Sequence, residues 1–285
     1  MSDMEQVINM ARDLPNRGDT HVFLGHPMAD LCDTTTTEPG NSYSPGVWTC
    51  GISFWLDVGG DIVASETLDR KAIRWGFGGV DSSPPTVVAA YSAGGLDIIH
   101  HLGHLGTEGA EGVDFNRIEV SSSEAQGFTA LIVVREMGPA GGEIRDLSWD
   151  ADARTLFINE TLKLCVESPA WSCEIAKGTD SDEETPVATL YAEMAVEPGE
   201  PVEILYRTEH GFADRAFAAQ VPKETLFASM TVAEGLNALE EWWAEALPAR
   251  VFAPDPRIAG VWDASAYHIL AAMEWGLPRI GAVNY

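Results

Sequence analysis

The apolar period of this chain changes once, near residue 230, and that change limits what it can fold into. Upstream, apolar residues recur at every second position in short runs. Phe128, Ala130, Ile132 and Val134 alternate with Thr129, Leu131 and Val133, which reads as a mostly buried strand. The run from Val47 to Leu56 is strand-like and stops at Gly59-Gly60. Leu147 to Trp149, a turn over Asp150 to Ala153, and Thr155 to Ile158 predict a hairpin. A further turn at Asn159-Glu160 leads to Leu162, Leu164 and Val166 on one face. Leu190, Ala192, Met194 and Val196 alternate up to a Glu197-Pro198-Gly199-Glu200 turn, and Val202, Ile204 and Tyr206 follow on the return. Strands this short and this closely spaced predict a mainly β fold, a large antiparallel β-sandwich.

Downstream the period is that of a helix. Thr231-Val232-Ala233-Glu234 is a capping box, with a hydroxyl at the N-cap and a carboxylate three residues on. Val232, Leu236, Leu239, Trp242 or Trp243, and Ala246 then mark one face of a helix over 231–247, stopped by Pro248. A second helix is expected over 255–275, with Asp255 as N-cap, Pro256 in the first turn, Gly276 as the stop and Pro278 beyond it. Ile258, Val261, Trp262, Ser265, Ala266, Ile269, Leu270 and Met273 fall on its apolar stripe. A stripe of that length needs partners to cover it. Little sequence follows, so the expectation is a chain that continues into a larger protein or self-associates through this helix.

Charge narrows the function classes. There are 44 acidic and 17 basic residues, a formal net charge of −27, and only four lysines: Lys71, Lys163, Lys177 and Lys223. Such a surface repels nucleic-acid phosphate and anionic lipid, so neither is an expected partner. The first residues lack an apolar signal core, and no run approaches the about 18 apolar residues of a membrane span. The expected location is therefore cytoplasmic. In that setting Cys32, Cys50, Cys165 and Cys173 are expected as free buried thiols, none in a CxxC pair.

Few residues suggest chemistry. His100, His101 and His104 form the one histidine cluster; with Gly94-Gly95 and Gly103 beside it, a loop or strand end with solvated imidazoles is expected, and no metal site. Ser44 and Ser148 lack a nucleophile-elbow context, and Gly76-Phe77-Gly78-Gly79 is followed by no Lys-Ser/Thr, so no cofactor is expected. Asp180 to Glu184 reads as a solvated acidic loop. Glycoside hydrolysis requires two acids across the scissile bond. Asp263 and Glu274 lie about 16 Å apart along a helix, too far to work as a pair, so no catalytic residue is assigned. Of the nine tryptophans, Trp75 and Trp171 sit beside turn residues and are the expected exposed sugar-stacking faces.

The order of parts resembles the N-terminal portion of six-hairpin glycosidases, the (α/α)6-barrel enzymes that include bacterial glucoamylases and maltose-phosphorylase-like proteins. The residues that carry the resemblance are Ala253-Pro254-Asp255-Pro256-Arg257-Ile258, Ser265-Ala266-Tyr267-His268-Ile269-Leu270 and Gly276 to Tyr285. They look like the first barrel helix and the loop after it. Ser44 to Ile52 is similar to the opening strands of the family's sandwich domains. The resemblance implies a β-sandwich over 1–228, a helical linker over 229–250, and the first helix and loop of a truncated (α/α)6 domain over 251–285. It implies an N-terminal region of a glycoside hydrolase, with carbohydrate and the rest of the barrel as partners. The acid and base of that family have no counterpart here, and only Asn284 and Tyr285 carry over, as sugar-site lining. The alternatives are a free-standing carbohydrate-binding module and a structural domain that dimerises through its last helix.

Fixed negative charge on this scale repels itself, and salt screens that repulsion. If the acidic excess is an adaptation to high salt, the melting temperature rises steadily with NaCl up to molar concentration. A flat or falling response in a salt series followed by circular dichroism would remove that reading.

Overall fold

The computed structural model describes residues 4–18, 20–27, 33–47, 49–78, 86–107, 110–136, 138–159, 162–168, 170–176, 185–210, 229–246, 254–274 and 277–278. Two eight-stranded antiparallel sheets face each other. The first runs β1 (Val22–Leu24), β2 (Thr35–Thr37), β3 (Tyr43–Ser44), β4 (Gly51–Val58), β10 (Gln126–Arg135), β15 (Val187–Val196) and β14 (Ser172–Ala176), with β5 (Asp61–Ala64) paired to β4. The second runs β11 (Leu147–Asp150), β12 (Thr155–Ile158), β13 (Leu162–Val166), β16 (Val202–His210), β9 (Ala110–Ser121), β8 (Leu96–Thr107), β7 (Thr86–Ala93) and β6 (Arg74–Phe77).

The expected hairpins form where turn chemistry and alternation agree. Gly59 and Gly60 take φ of 66° and 97°, a conformation open to glycine, and return the chain from β4 into β5. β11 pairs with β12 and β12 with β13. One expectation fails. Val202, Ile204 and Tyr206 do not return alongside β15: that strand pairs with β10 and β14, whereas β16 pairs with β9 and β13 in the opposite sheet. The 197–200 turn carries the chain across the sandwich, with Glu197 and Glu200 bridging. Both strands bury one face in the same core, so their alternation is the same whether or not they touch.

Among the described residues three α-helices cover the outside. α1 (Met4–Asp13) lies in a stretch expected to hold only strands and turns. Val7 and Ala11 drop into the outer face of the first sheet against Trp55, Leu131, Val133 and Val187. This is why β10 is apolar on both faces. α2 (Val232–Ala246) starts at the expected capping box: Glu234 accepts from the Thr231 amide at 2.8 Å, and the Glu234 amide donates back to the Thr231 hydroxyl at 3.3 Å. It buries Val232, Gly235, Leu239 and Trp243 on the outer face of the second sheet. Its close approach depends on two glycines. A Cβ on Gly235 would stand 2.2 Å from the Phe115 ring, and one on Gly103 would stand 2.7 Å from Leu239.

α3 (Pro256–Ala271) also starts as expected, with Asp255 accepting from the Arg257 amide. It is shorter than 255–275. Ala272 caps it by donating to His268 and Leu270, and β17 (Met273–Glu274) turns back onto β18 (Leu277–Pro278). Leu277 precedes a proline, which favours the extended backbone it adopts in β18. Its 16 residues make a rod of about 24 Å.

Two helical glycines separate packing from propensity. Gly235→Ala overpacks Phe115 and is expected to cost about 1–3 kcal/mol. Gly260 in α3 has open space at its Cβ position, so Gly260→Ala gains about 0.5–1 kcal/mol from helix propensity. Chemical denaturation of the two variants checks the opposite signs.

Candidate functional site

At one end of the sandwich the core is polar. β8 and β9 are paired with His104 opposite Asp114 and Leu102 opposite Asn116, and β16 sets Thr208 opposite Asp114. Even-numbered residues of these three strands point into the sandwich. His100, His104, Asp114, Asn116, Thr208 and His210 are all buried there. Asp114 is the centre of the group. Its Oδ1 accepts from the Thr35 hydroxyl at 2.7 Å and lies 2.8 Å from His104 Nδ1, and its Oδ2 lies 2.8 Å from His210 Nε2. Burial raises its pKa, but the two histidines outweigh that and bring the carboxyl down to about 2.

A second chain of hydrogen bonds runs beside it. His100 Nε2 meets Asn116 Oδ1 at 2.9 Å, Asn116 donates to the Tyr43 hydroxyl at 3.1 Å, and Tyr43 pairs with Thr208 at 2.7 Å. Asn41 adds its amide, donating to the carbonyls of His100 and Val87 at 2.7 and 3.0 Å. Thr35 and Tyr43 belong to one sheet and Asp114 and Thr208 to the other, so these bonds cross the interior.

The solvated histidine loop expected around residue 100 is therefore corrected: His100 and His104 are interior residues of a twelve-residue strand. Spacing of four puts two residues on one face of a strand as well as of a helix. The alternation of Ile98, His100, Leu102 and His104 was the available signal. His104, Asp114 and His210 form the one His/Cys/Asp/Glu grouping among the described residues whose geometry could hold a metal ion, their ligand atoms all lying within 4.8 Å of one another.

The expected sugar-stacking residues fare differently. Trp171 is 7% exposed and belongs to the main core, so it offers no face to solvent. Trp75 is half-buried on β6. Its indole N–H donates to Asn41 Oδ1 at 2.9 Å and the Arg70 guanidinium lies 5.7 Å from its ring centroid. It serves as a wall of the polar network rather than a bare platform. Asn284 and Tyr285 lie outside the described residues, as do Cys32 and the 180–184 acidic segment. Cys50, Cys165 and Cys173 are free thiols, and burial pushes Cys50 up to about 12.

The terminal helix is held at one end and bare along one side. The Gly25 amide donates to the Tyr267 hydroxyl at 3.2 Å, and the Tyr267 ring packs on Trp243 and Phe77 with centroids 4.5 and 4.8 Å away. Tyr267 and Ala271 are buried. Ile258, Val261, Trp262 and Ile269 are 56%, 67%, 48% and 67% exposed. Ile258, Val261, Trp262 and Ile269 of the stripe read from the sequence thus face away from the sandwich, whereas Leu270, placed on the same stripe, packs against the core. No helix among the described residues is long and apolar enough to cross a membrane.

No family model matches the chain, and no curated protein matches it. Solved structures do. A protein from the human microbiome described as a kojibiose phosphorylase aligns over 89% of this chain and 35% of its own, at 10% identity and a TM-score of 0.46. A bacterial glucoamylase aligns over 92% of this chain and 43% of its own, at 9% identity and a TM-score of 0.46. A family GH92 α-mannosidase from Bacteroides thetaiotaomicron aligns over 93% and 40%, at 11% identity and a TM-score of 0.32. The chain spans less than half the length of each.

Buried neutral histidines make the fold acid-sensitive. Burial lowers His100 to about 4, with its Asn116 contact opposing and His101 adding to the effect; burial and then His104 lower His26 to about 4. An unfolded histidine titrates near 6.5. Below that pH the unfolded chain takes up protons that the folded chain does not, until pH falls to about 4. Stability is full above about pH 6.5 and falls between there and pH 4, by on the order of 3 kcal/mol for fully buried His100. A melting series across that range should show the decline. His100→Gln, whose amide can still donate to Asn116, should flatten it.

Proposed function

We propose that this chain is the supporting region of a glycoside hydrolase. In this reading a sandwich over 1–228 and a linker over 229–250 present the first helix and loop, over 251–285, of an (α/α)6 body. The acid and base would lie in that body, consistent with the absence of a suitable carboxylate pair from the segment expected to begin it. Carbohydrate would meet this chain at the loop after α3, where Asn284 and Tyr285 fall.

The observation that carries this reading is α3. Its Tyr267 and Ala271 end is fastened to the sandwich, and its apolar side is left to solvent. Full burial of a large aliphatic or aromatic side chain stabilises by about 1.5–3 kcal/mol. Four such residues along one rod suit packing against neighbouring helices. The residues that resemble a first barrel helix are the residues that display this side.

A second reading keeps the chain as a carbohydrate-binding module, but on a different surface from the two tryptophans. A groove of about 480 Å³ on the first sheet is lined by Met4, Thr129, Ser172, Glu174, Tyr191 and Glu193 among others. An aromatic ring beside two carboxylates can stack on a sugar and accept from its hydroxyls.

Three measurements distinguish these readings. The chain alone should release no sugar from α- or β-linked oligosaccharides; robust turnover would sink the supporting role. Val261→Glu with Ile269→Glu should abolish any concentration-dependent association seen by light scattering and shift the melting temperature little, since both positions are exposed. Glycan binding that disappears in Tyr191→Ala would favour the module instead.

A further inference from the structure

We propose that His104, Asp114 and His210 bind one divalent transition-metal ion of the zinc class, with the Thr35 hydroxyl beside them. The site is independent of any sugar chemistry. Its donors come from three adjacent strands of one sheet and, through Thr35, from the sheet across the core. An ion there would fasten the two layers together.

The donor set has the right chemistry. Two imidazoles and a carboxylate suit zinc, cobalt or iron(II), and not magnesium or calcium, which take oxygen ligands. The spacing is close to what an ion needs. His104 Nδ1 and His210 Nε2 each lie 2.8 Å from a carboxylate oxygen of Asp114. Thr35 Oγ1 is 2.7 Å from Asp114 Oδ1 and 3.4 Å from His104 Nδ1. Ligands at about 2.0–2.1 Å from a tetrahedral centre stand roughly 3.3 Å from one another. The carboxylate contacts therefore need to open by a few tenths of an ångström, and the ligand atoms that stand up to 4.8 Å apart need to draw together, to exchange bridging protons for a cation. His104, Asp114 and His210 are each fully buried at the side chain, so water cannot compete for these positions.

The surroundings hold the donors in place. A Cβ on Gly112 would stand 2.5 Å from His104 Cε1 and 3.5 Å from His210 Nδ1, so a glycine here lets the strand close over both rings. Burying a carboxylate is costly unless its charge is matched. A dication held here would match it.

The test uses the whole chain, unfolded in chelator and refolded with or without one equivalent of Zn²⁺, because a site this enclosed fills most readily during folding. Elemental analysis after desalting should find one zinc per chain, and the melting temperature should rise by at least about 5 °C. Mg²⁺ or Ca²⁺, which the acidic surface also attracts, should give no such rise. His210→Gln should weaken uptake at least about tenfold, while His101→Gln, on the outward side of the same strand, should leave it unchanged. Should His210→Gln fail to fold, zinc-edge absorption of the unsubstituted chain still reads the ligands and should show two imidazoles. No stoichiometric uptake, zinc without imidazole neighbours, or uptake indifferent to His210→Gln would overturn the proposal and leave a proton-bridged cluster.

Discussion

Two apolar sheet faces attract without direction, so burial alone does not set how one lies on the other. In this protein hydrogen bonds across the interior set it. Thr35 reaches Asp114, Tyr43 reaches Thr208 and Asn116, and Asn41 reaches the carbonyls of Val87 and His100. Each joins one layer to the other at a fixed register. Asp114 makes the arrangement strict, because a buried carboxylate that loses its donors is left with the full cost of desolvation. A slip of one residue in β9 would turn Asp114 and Asn116 out of the core together.

The opposite face of the first sheet uses the same device. Glu66 and Arg135 form an ion pair at 3.0 Å with both side chains buried. Glu66 also accepts from the Ser53 hydroxyl at 2.7 Å and the Trp55 indole at 3.1 Å, and Arg135 donates to the Leu14 carbonyl just past α1. Such a pair adds little net stability over apolar residues of the same volume, but removing one partner is costly. Its effect is to fix where α1 ends and how β4, β10 and the turn after β5 meet. Both polar clusters specify placement, and the apolar core between them supplies the bulk of the driving force.

These clusters explain what the sequence disclosed. Strands with one covered face were legible: Leu162, Leu164 and Val166 alternate with Lys163, and the hairpins around them followed. The helix starts at Thr231 and Asp255 were legible because capping is local chemistry. β9 was not. Val113 and Phe115 lie under α2 while Asp114 and Asn116 point inward, so the polar residues sit on the side usually given to the core. With both faces covered, period-2 contrast no longer marks inside from outside. The same inversion hid His100 and His104: Gly94-Gly95 form the turn between β7 and β8, and Gly103, which suggested a loop, allows α2 to approach. α1 escaped notice because ten residues carry only a brief helical period. The crossing from β15 to β16 was missed because a tight turn looks the same whether its strands pair or part.

α3 combines two properties that single-sequence patterning could separate only in part. The stripe was visible, but its direction was not, since Tyr267, Leu270 and Ala271 on the other side are also apolar. The structure resolves the choice through Tyr267, whose hydroxyl has a backbone donor at Gly25 and whose ring fits between Trp243 and Phe77. A phenol can be buried at this seam because its polar end is satisfied. Ile258, Val261, Trp262 and Ile269 have no such polar tether within the sandwich and remain outside. The helix is consequently pre-ordered before anything covers it. A partner packing on it would avoid part of the cost of ordering a mobile segment, which is a large share of what association must overcome.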